Sequence, residues 1–197
     1  MRYLTFFLIL FFLIGHFACE NCASNVPESI ALKDLSVLNL KDTDESEYPV
    51  FLKDNEEVFW DDLVLRFGFD YDFISQTKSN TAGYLFADCT SRGYKGTGYG
   101  IETVNIITLE DYNLEYVKGD TINENLNLYE WYRSKEIINT IEDFKTRYQT
   151  TFNPAVVELR LIQKPLETVE KIHFRIIITF KDSSTYIADN LPVPLKK

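Results

Sequence analysis

An alternation of apolar and polar residues between positions 63 and 73 constrains the fold of this chain more than any other feature. The even-numbered positions include Arg66, Gly68, Asp70 and Asp72, whereas every odd-numbered position is apolar or aromatic. A period of two places successive side chains on opposite faces of a β-strand, so the segment predicts a strand that is buried on one face. The side chains predicted to lie in the core are Leu63, Leu65, Phe67, Phe69, Tyr71 and Phe73.

The same pattern returns near the end of the sequence. Even-numbered residues from Ile172 to Phe180 are apolar, and the polar residues 181–184 then lead into a second run over 185–191. Two such runs around a short polar turn predict a β-hairpin. Further strands are predicted over residues 30–40, 84–89, 101–109 and 155–162.

Two of these strands carry more detailed predictions. In residues 155–162 the pattern places Ala155, Val157, Leu159 and Leu161 inward and leaves Glu158 and Arg160 on the outer face. Residues 101–109 include apolar residues at both odd and even positions, with Val104, Ile106 and Ile107 close together. A strand that is apolar on both faces is typical of a central position in its sheet.

One helix is predicted among the strands, beginning at Ser134 as its N-cap. The basic residues Lys145 and Arg147 would lie in its last turn, where they favour the helix dipole. Its apolar stripe has helical spacing and consists of Ile137, Ile138, Ile141, Phe144 and Tyr148. Strands of antiparallel character with one inserted helix predict a mainly β fold, a two-sheet antiparallel β-sandwich that is immunoglobulin-like in outline.

The N-terminus is typical of an exported lipoprotein. Arg2 precedes an apolar run over residues 3–14, and small residues lead to Cys19. The run is too short to span a bilayer comfortably as a helix. We therefore expect a signal peptide over 1–18, lipidation of Cys19, a tether over 19–29 and a single domain over 30–197, although an uncleaved anchor or an ordinary signal peptide is the alternative.

The remaining cysteines, Cys22 and Cys89, could form a disulfide in an oxidising compartment. The spacing of Cys19 and Cys22 also matches a redox CxxC motif, but no thioredoxin-like strand and helix flank it. The 30 acidic residues outnumber the 20 basic residues, which opposes binding to nucleic acid.

A longer pattern follows Asp88, Cys89 and a glycine-rich loop. It consists of Ile101, Val104, Ile106, Ile107, Thr108, Asp111, Tyr112, Asn113, Tyr116, Val117, Gly119 and Ile122. This pattern, with a looser similarity over 174–194, resembles small lipoproteins of Bacteroidota in a family of unknown function. The resemblance implies anchoring at the outer membrane or cell surface through Cys19 and transfers no catalytic residue.

No pattern in the sequence is specific to a cofactor or a metal. His173 would be the one histidine of the mature chain, and its register places it on the outside of a strand. The connection over residues 41–60 is acidic, and Asp42, Asp44 and Ser46 match the start of a calcium loop that then fails, because Glu47 replaces the glycine that the turn needs. A weaker calcium site from Asp42, Asp44, Glu45 and Glu47 is an alternative to a solvated loop.

Candidate ligand contacts come from aromatic residues. Tyr94 and Tyr99 lie in a glycine-rich loop and could stack on a sugar or a peptide, and Trp60 and Trp131 could do the same in a carbohydrate-binding module. Asp70 and Asp72 have a spacing compatible with a carboxylate-dependent hydrolase, although exposed carboxylates usually serve solvation. We expect a noncatalytic envelope protein that binds a protein or a glycan, with the hydrolase and the carbohydrate-binding module as alternatives.

Overall fold

The computed structural model describes residues 29–43, 46, 48–74, 96–132, 134–138, 140–153 and 156–197. Eleven strands and one α-helix lie in these residues. The strands are β1 (Ser29–Lys41), β2 (Val50–Phe51), β3 (Leu63–Ile74), β4 (Ile101–Thr108), β5 (Leu126–Tyr132), β6 (Ser134–Ile138), β7 (Val156–Leu161), β8 (Lys171–Ile172), β9 (Phe174–Phe180), β10 (Thr185–Asp189) and β11 (Val193–Pro194), and the helix α1 (Ile141–Arg147) lies between β6 and β7.

The strands form antiparallel sheets. The largest has six strands in the order β2-β1-β3-β7-β5-β6, a second has the order β10-β9-β4, and β11 pairs with β8. The six-stranded and three-stranded sheets pack face to face, so that the ring of Phe69 on β3 lies 5.8 Å from the ring of Phe180 on β9. The predicted two-sheet sandwich with one helix is confirmed.

The core between the sheets contains most of the side chains predicted from the two clear alternations. From Leu63 to Phe69 the odd-numbered residues of β3 are buried, and the even-numbered residues from Ile172 to Phe180 are buried as well. The predicted turn over 181–184 joins β9 to β10, with Ser183 in the left-handed region at φ 70°. Phe73 is an error of the prediction: this side chain is 53% exposed, although Ile30, which pairs with it on β1, is 2% exposed.

The predicted start of the helix is wrong. Residues 134–138 form strand β6 beside β5, and the helix begins only at Ile141 with Thr140 as its N-cap. The Thr140 hydroxyl accepts a hydrogen bond from the Asp143 backbone N–H at 3.0 Å. Ile137 and Ile138 lie in the sheet, in keeping with the preference of β-branched residues for strands. Of the predicted apolar stripe, Ile141 and Phe144 lie in helix α1, and both are buried.

Two strand details also differ from prediction. Within the described residues β4 ends its sheet, although we expected it to be central. Residues 119–123 cover its outer edge, where the Asn123 side chain accepts from the Ile106 N–H at 2.9 Å and donates to the Val104 carbonyl at 2.7 Å. Its backbone edge is therefore occupied, while its buried side chains are Ile101 and, after the irregularity in register between Ile101 and Thr103, the even-numbered Val104, Ile106 and Thr108.

Glu158 lies on the outer face of the large sheet as predicted, yet its side chain is fully buried. Arg66 on the adjacent β3 donates two hydrogen bonds to its carboxylate, at 2.5 and 3.1 Å. Arg160 contributes a guanidinium 3.9 Å from the other carboxylate oxygen. The long side chains of these neighbours cover Glu158. The alternation of apolar and polar residues along one strand does not show such cover from a neighbouring strand.

The sandwich has two distinct ends. β1 and β3 pair over their whole length, so that Ser29 lies opposite Ile74 at one end and Lys41 lies opposite Leu63 at the other. With a rise of about 3.3 Å per residue, the 13 residues of β1 separate these ends by about 40 Å. We call them the Ser29 end and the loop end. The described residues of the loop end are 42–43, 46, 48–62, 109–125, 162–170 and 190–197.

Candidate functional site

A groove of about 760 Å³ opens at the loop end. Three segments line it: residues 59–62, residues 164–167 with Val169, and residues 195–197. These segments are far apart in the sequence and meet only because the loops that follow β2, β7 and β11 emerge at the same end of the sandwich. We refer to this cavity as the terminal groove.

Backbone hydrogen bonds fix the floor of the terminal groove. The Val58 N–H donates to the Pro194 carbonyl at 3.1 Å, and the Lys196 N–H donates to the Val58 carbonyl at 2.9 Å. On the other side of the same segment, the Leu195 N–H donates to the Glu170 carbonyl at 2.9 Å. The C-terminal segment is therefore held between two neighbours, and the groove has a rigid base.

Tyr112 anchors the wall formed by residues 164–169. Its side chain is 2% exposed, and its hydroxyl donates to the carbonyl of Gln163. Its carbonyl accepts from the Leu166 N–H at 2.9 Å. Burial raises the pKa of the Tyr112 hydroxyl well above its ordinary value, so the group remains a neutral donor at any physiological pH.

Two large apolar side chains of the terminal groove are partly exposed. Phe59 is 48% exposed and Leu166 is 37% exposed, while the half-buried Trp60 packs against the core. The ammonium of Lys196 lies 5.3 Å from the centre of the Phe59 ring, a cation–π contact. Exposed aromatic and aliphatic groups in a concave site are typical of a binding surface.

Charged groups surround this apolar surface in equal numbers. Lys164, Lys196 and Lys197 contribute three ammonium groups, and Asp61, Asp62 and Glu167 contribute three carboxylates. The whole chain has a formal net charge of −10. The terminal groove is therefore locally balanced in a molecule that is otherwise strongly acidic.

A second cavity of about 530 Å³ lies near the same end, beside β1 and β2. Phe51 and Leu191, which line it, are 66% and 69% exposed. A third cavity, of about 280 Å³, lies on the outer face of the large sheet around Gly68. The second cavity has one aromatic ring, Phe51, and one ammonium group, Lys53, on the same segment, whereas the terminal groove combines two aromatic side chains with three lysines from two other segments.

The structure separates the predicted ligand contacts. Tyr99 lies at the Ser29 end, half-buried, with its ring 5.5 Å from that of Phe180, and burial raises the pKa of its hydroxyl. It is therefore remote from Trp60 in the terminal groove, and its role as a ligand contact stays a prediction. The remaining predicted site residues lie outside the described residues: Cys19, Cys22, Cys89 and Tyr94, together with the strand predicted over 84–89.

The predicted calcium ligands are only partly described. Both carboxylate oxygens of Asp42 bond to the guanidinium of Arg160, while Asp44, Glu45 and Glu47 lie outside the described residues. Among the residues that are described, no group of three or more histidine, cysteine, aspartate or glutamate side chains is arranged to hold a metal ion.

Other polar residues singled out in the sequence have ordinary structural contacts. Asp70 and Asp72 are both exposed, and Asp72 lies 2.8 Å from the ammonium of Lys33. His173 is half-buried, and its carbonyl accepts from the Leu109 N–H at 2.8 Å. None of the three contributes to the terminal groove.

Sequence analysis identified only one residue of the terminal groove, Trp60. The adjacent pair Phe59 and Trp60, followed by two aspartates, was a visible signal for an aromatic site with carboxylates. Nothing in the sequence joins that pair to Leu166 or Lys196. The other two walls of the groove therefore required the structure.

Comparisons with known proteins give no relative. No protein-family model, curated protein or solved structure matches this chain significantly. In the described part of the chain, no helix has the length and apolar character needed to cross a membrane.

Proposed function

We propose that this protein is a lipid-anchored, noncatalytic binding or scaffolding protein of the cell envelope, and that the terminal groove receives its partner. The apolar run that ends at Cys19 supports the anchor, as does the sequence resemblance to small lipoproteins. The observation that carries the binding role is the exposed Phe59 and Leu166 in a groove with a rigid base.

The position of the groove suits such a role. If Cys19 holds the lipid, the tether enters the domain at Ser29, so the Ser29 end faces the membrane. The loop end then lies about 40 Å farther out, the length of β1. An anchored protein in this orientation presents the terminal groove to partners in the surrounding compartment.

The anchor is tested by replacing Cys19. Cys19→Ala should release the protein from the membrane fraction, because the acyl chains supply its membrane affinity. Mass spectrometry of the N-terminal peptide should find an acylated Cys19. An unmodified N-terminus at another residue would contradict the anchor.

The binding role is tested with a photo-crosslinking amino acid placed in intact cells at position 166. The control places the same group at Glu102, an exposed residue of β4 that lies toward the Ser29 end. We expect a defined crosslinked product from position 166 and none from position 102. Equal crosslinking from both positions, or none from either, would refute a binding role for the groove.

A further inference from the structure

We propose that the ligand of the terminal groove is an uncharged carbohydrate chain. This inference rests on the proposed function, because it names the chemical class of the partner that the groove receives. It follows from three properties of the groove: its aromatic surface, its mixture of hydrogen-bonding groups and its lack of a free strand edge.

The aromatic surface suits the C–H faces of sugar rings. A sugar has apolar faces and a hydroxylated rim, so it requires an exposed ring to pack on and polar groups beside that ring. Phe59 supplies a half-exposed ring next to Trp60, with the Lys196 ammonium 5.3 Å from its centre, and Leu166 lines the same cavity from another loop. A purely apolar ligand would form no hydrogen bonds with the surrounding charged groups.

The polar groups suit hydroxyls in particular. An ammonium group only donates hydrogen bonds and an ionised carboxylate only accepts them, whereas a hydroxyl does both. Three lysines and three acidic residues in one groove can thus satisfy a hydroxyl-rich ligand. Neither sign dominates among these side chains, and the chain's net charge of −10 repels a polyanion, which favours an uncharged chain over an acidic one.

The backbone of the groove argues against an extended peptide as the ligand. Peptides commonly bind by adding a strand to a free sheet edge. In the terminal groove the segment around Leu195 already bonds to Glu170 on one side and to Val58 on the other. Its main-chain groups are therefore committed, and recognition depends on side chains.

The test uses the fluorescence of Trp60. The chain contains two tryptophans, so Trp131→Phe in the full-length protein in detergent leaves Trp60 as the sole tryptophan. We titrate it with hexasaccharides of glucose, mannose and N-acetylglucosamine and follow the emission of Trp60. Calorimetry with the unsubstituted protein repeats the titration without relying on the substitution.

We expect a saturable change in emission with at least one of the three oligosaccharides. Phe59→Ala should weaken that affinity about tenfold, because it removes a central aromatic contact. Phe51→Ala is the matched control: its ring is similarly exposed but lines the neighbouring cavity, so the affinity should not change. Unchanged melting temperatures verify that both variants fold.

The outcomes separate this inference from the proposed function. A protein crosslinked from position 166, together with no saturable response to any of the three sugars, would overturn the carbohydrate and leave the binding role in place. Equal weakening by Phe59→Ala and Phe51→Ala would also overturn the inference. Sugar cleavage during the titration, detected by chromatography, would support the ligand class and overturn the noncatalytic part of the proposed function.

Discussion

Removing the guanidinium of Arg66 should destabilise the protein far more than removing an ordinary surface charge. Arg66→Met keeps most of the aliphatic side chain but deletes both hydrogen bonds to the buried Glu158 carboxylate. Breaking a buried ion pair by removing one partner costs about 3 to 5 kcal/mol, since the other charge stays buried without compensation.

The structure places the expected loss at the lower limit of that range, about 3 kcal/mol. Arg66 is itself 22% exposed, and Arg160 stays 3.9 Å from the second oxygen of Glu158, so some compensation survives. For a chain of 197 residues this corresponds to a fall in melting temperature of about 6 to 12 °C.

Lys33→Met is the matched control on the same sheet. Lys33 pairs with Asp72 at 2.8 Å, but both side chains are more than half exposed, so the loss should stay within about 0.5 kcal/mol. Urea unfolding with linear extrapolation measures both variants. Adding Glu158→Met to Arg66→Met should recover at least half of the lost stability, because the uncompensated charge is gone.

Two results would refute this reasoning. A loss for Arg66→Met no larger than that for Lys33→Met would show that Glu158 is hydrated in solution. A double variant as unstable as Arg66→Met would show that the loss comes from packing and not from the buried charge.

Three further predictions concern the core, the helix and the acid range. Phe67→Ala should lower the free energy of unfolding by about 3 to 5 kcal/mol, because Phe67 is 1% exposed. Asp70→Ala should change it by only about 0.5 kcal/mol. Equal losses in urea unfolding would disprove the register of β3. Thr140→Ala should lose about 1 kcal/mol through its N-cap hydrogen bond, and helix α1 should show faster amide exchange. Arg175 holds the pKa of Asp189 below its usual 3.8, so the pair stabilises the protein above that pH and this contribution is lost as the pH falls through the folded-state pKa. Arg175→Met should therefore be less stable than the parent at pH 7, and the difference should shrink at pH 3.

Local patterns predicted the strands of this fold because the burial of one strand face depends on the residues within that strand. The alternation from Leu63 to Phe69 requires one buried face whatever the strand pairs with, and the same holds from Ile172 to Phe180. Strand order is different in kind. It depends on which segments meet, and β4 lies at the end of its sheet with its outer edge bonded to the Asn123 side chain.

The errors arose where a neighbour distant in sequence changes the environment of a residue. The alternation along β7 places Glu158 on the outer face of the sheet, but Arg66, which is 92 positions away, covers it. Ile137 and Ile138 fit the spacing of a helical stripe as well as they fit a strand. They form a strand because β5 pairs with them. Periodicity cannot distinguish a solvated outer face from one that long side chains cover.

The terminal groove illustrates the same limit for function. The pair of Phe59 and Trp60 is adjacent in the sequence, but an exposed aromatic pair is a binding site only if other groups make the surface concave. Those groups come from loops more than 100 positions away, which residue types alone do not join to the pair.

The pairing of β1 with β3 relates the groove to the anchor. Because these two strands run antiparallel over their whole length, the end at which the chain enters the sandwich is opposite the end at which residues 42–62 cross over. Any partner bound at the loop end is thus held at least one strand length from Ser29. For an anchored protein this length is a property of the fold, since β1 cannot shorten without unpairing from β3. If Cys19 anchors the protein as proposed, the distance of the terminal groove from the membrane would vary only with the tether, so lengthening or shortening the tether should move the groove without altering its shape.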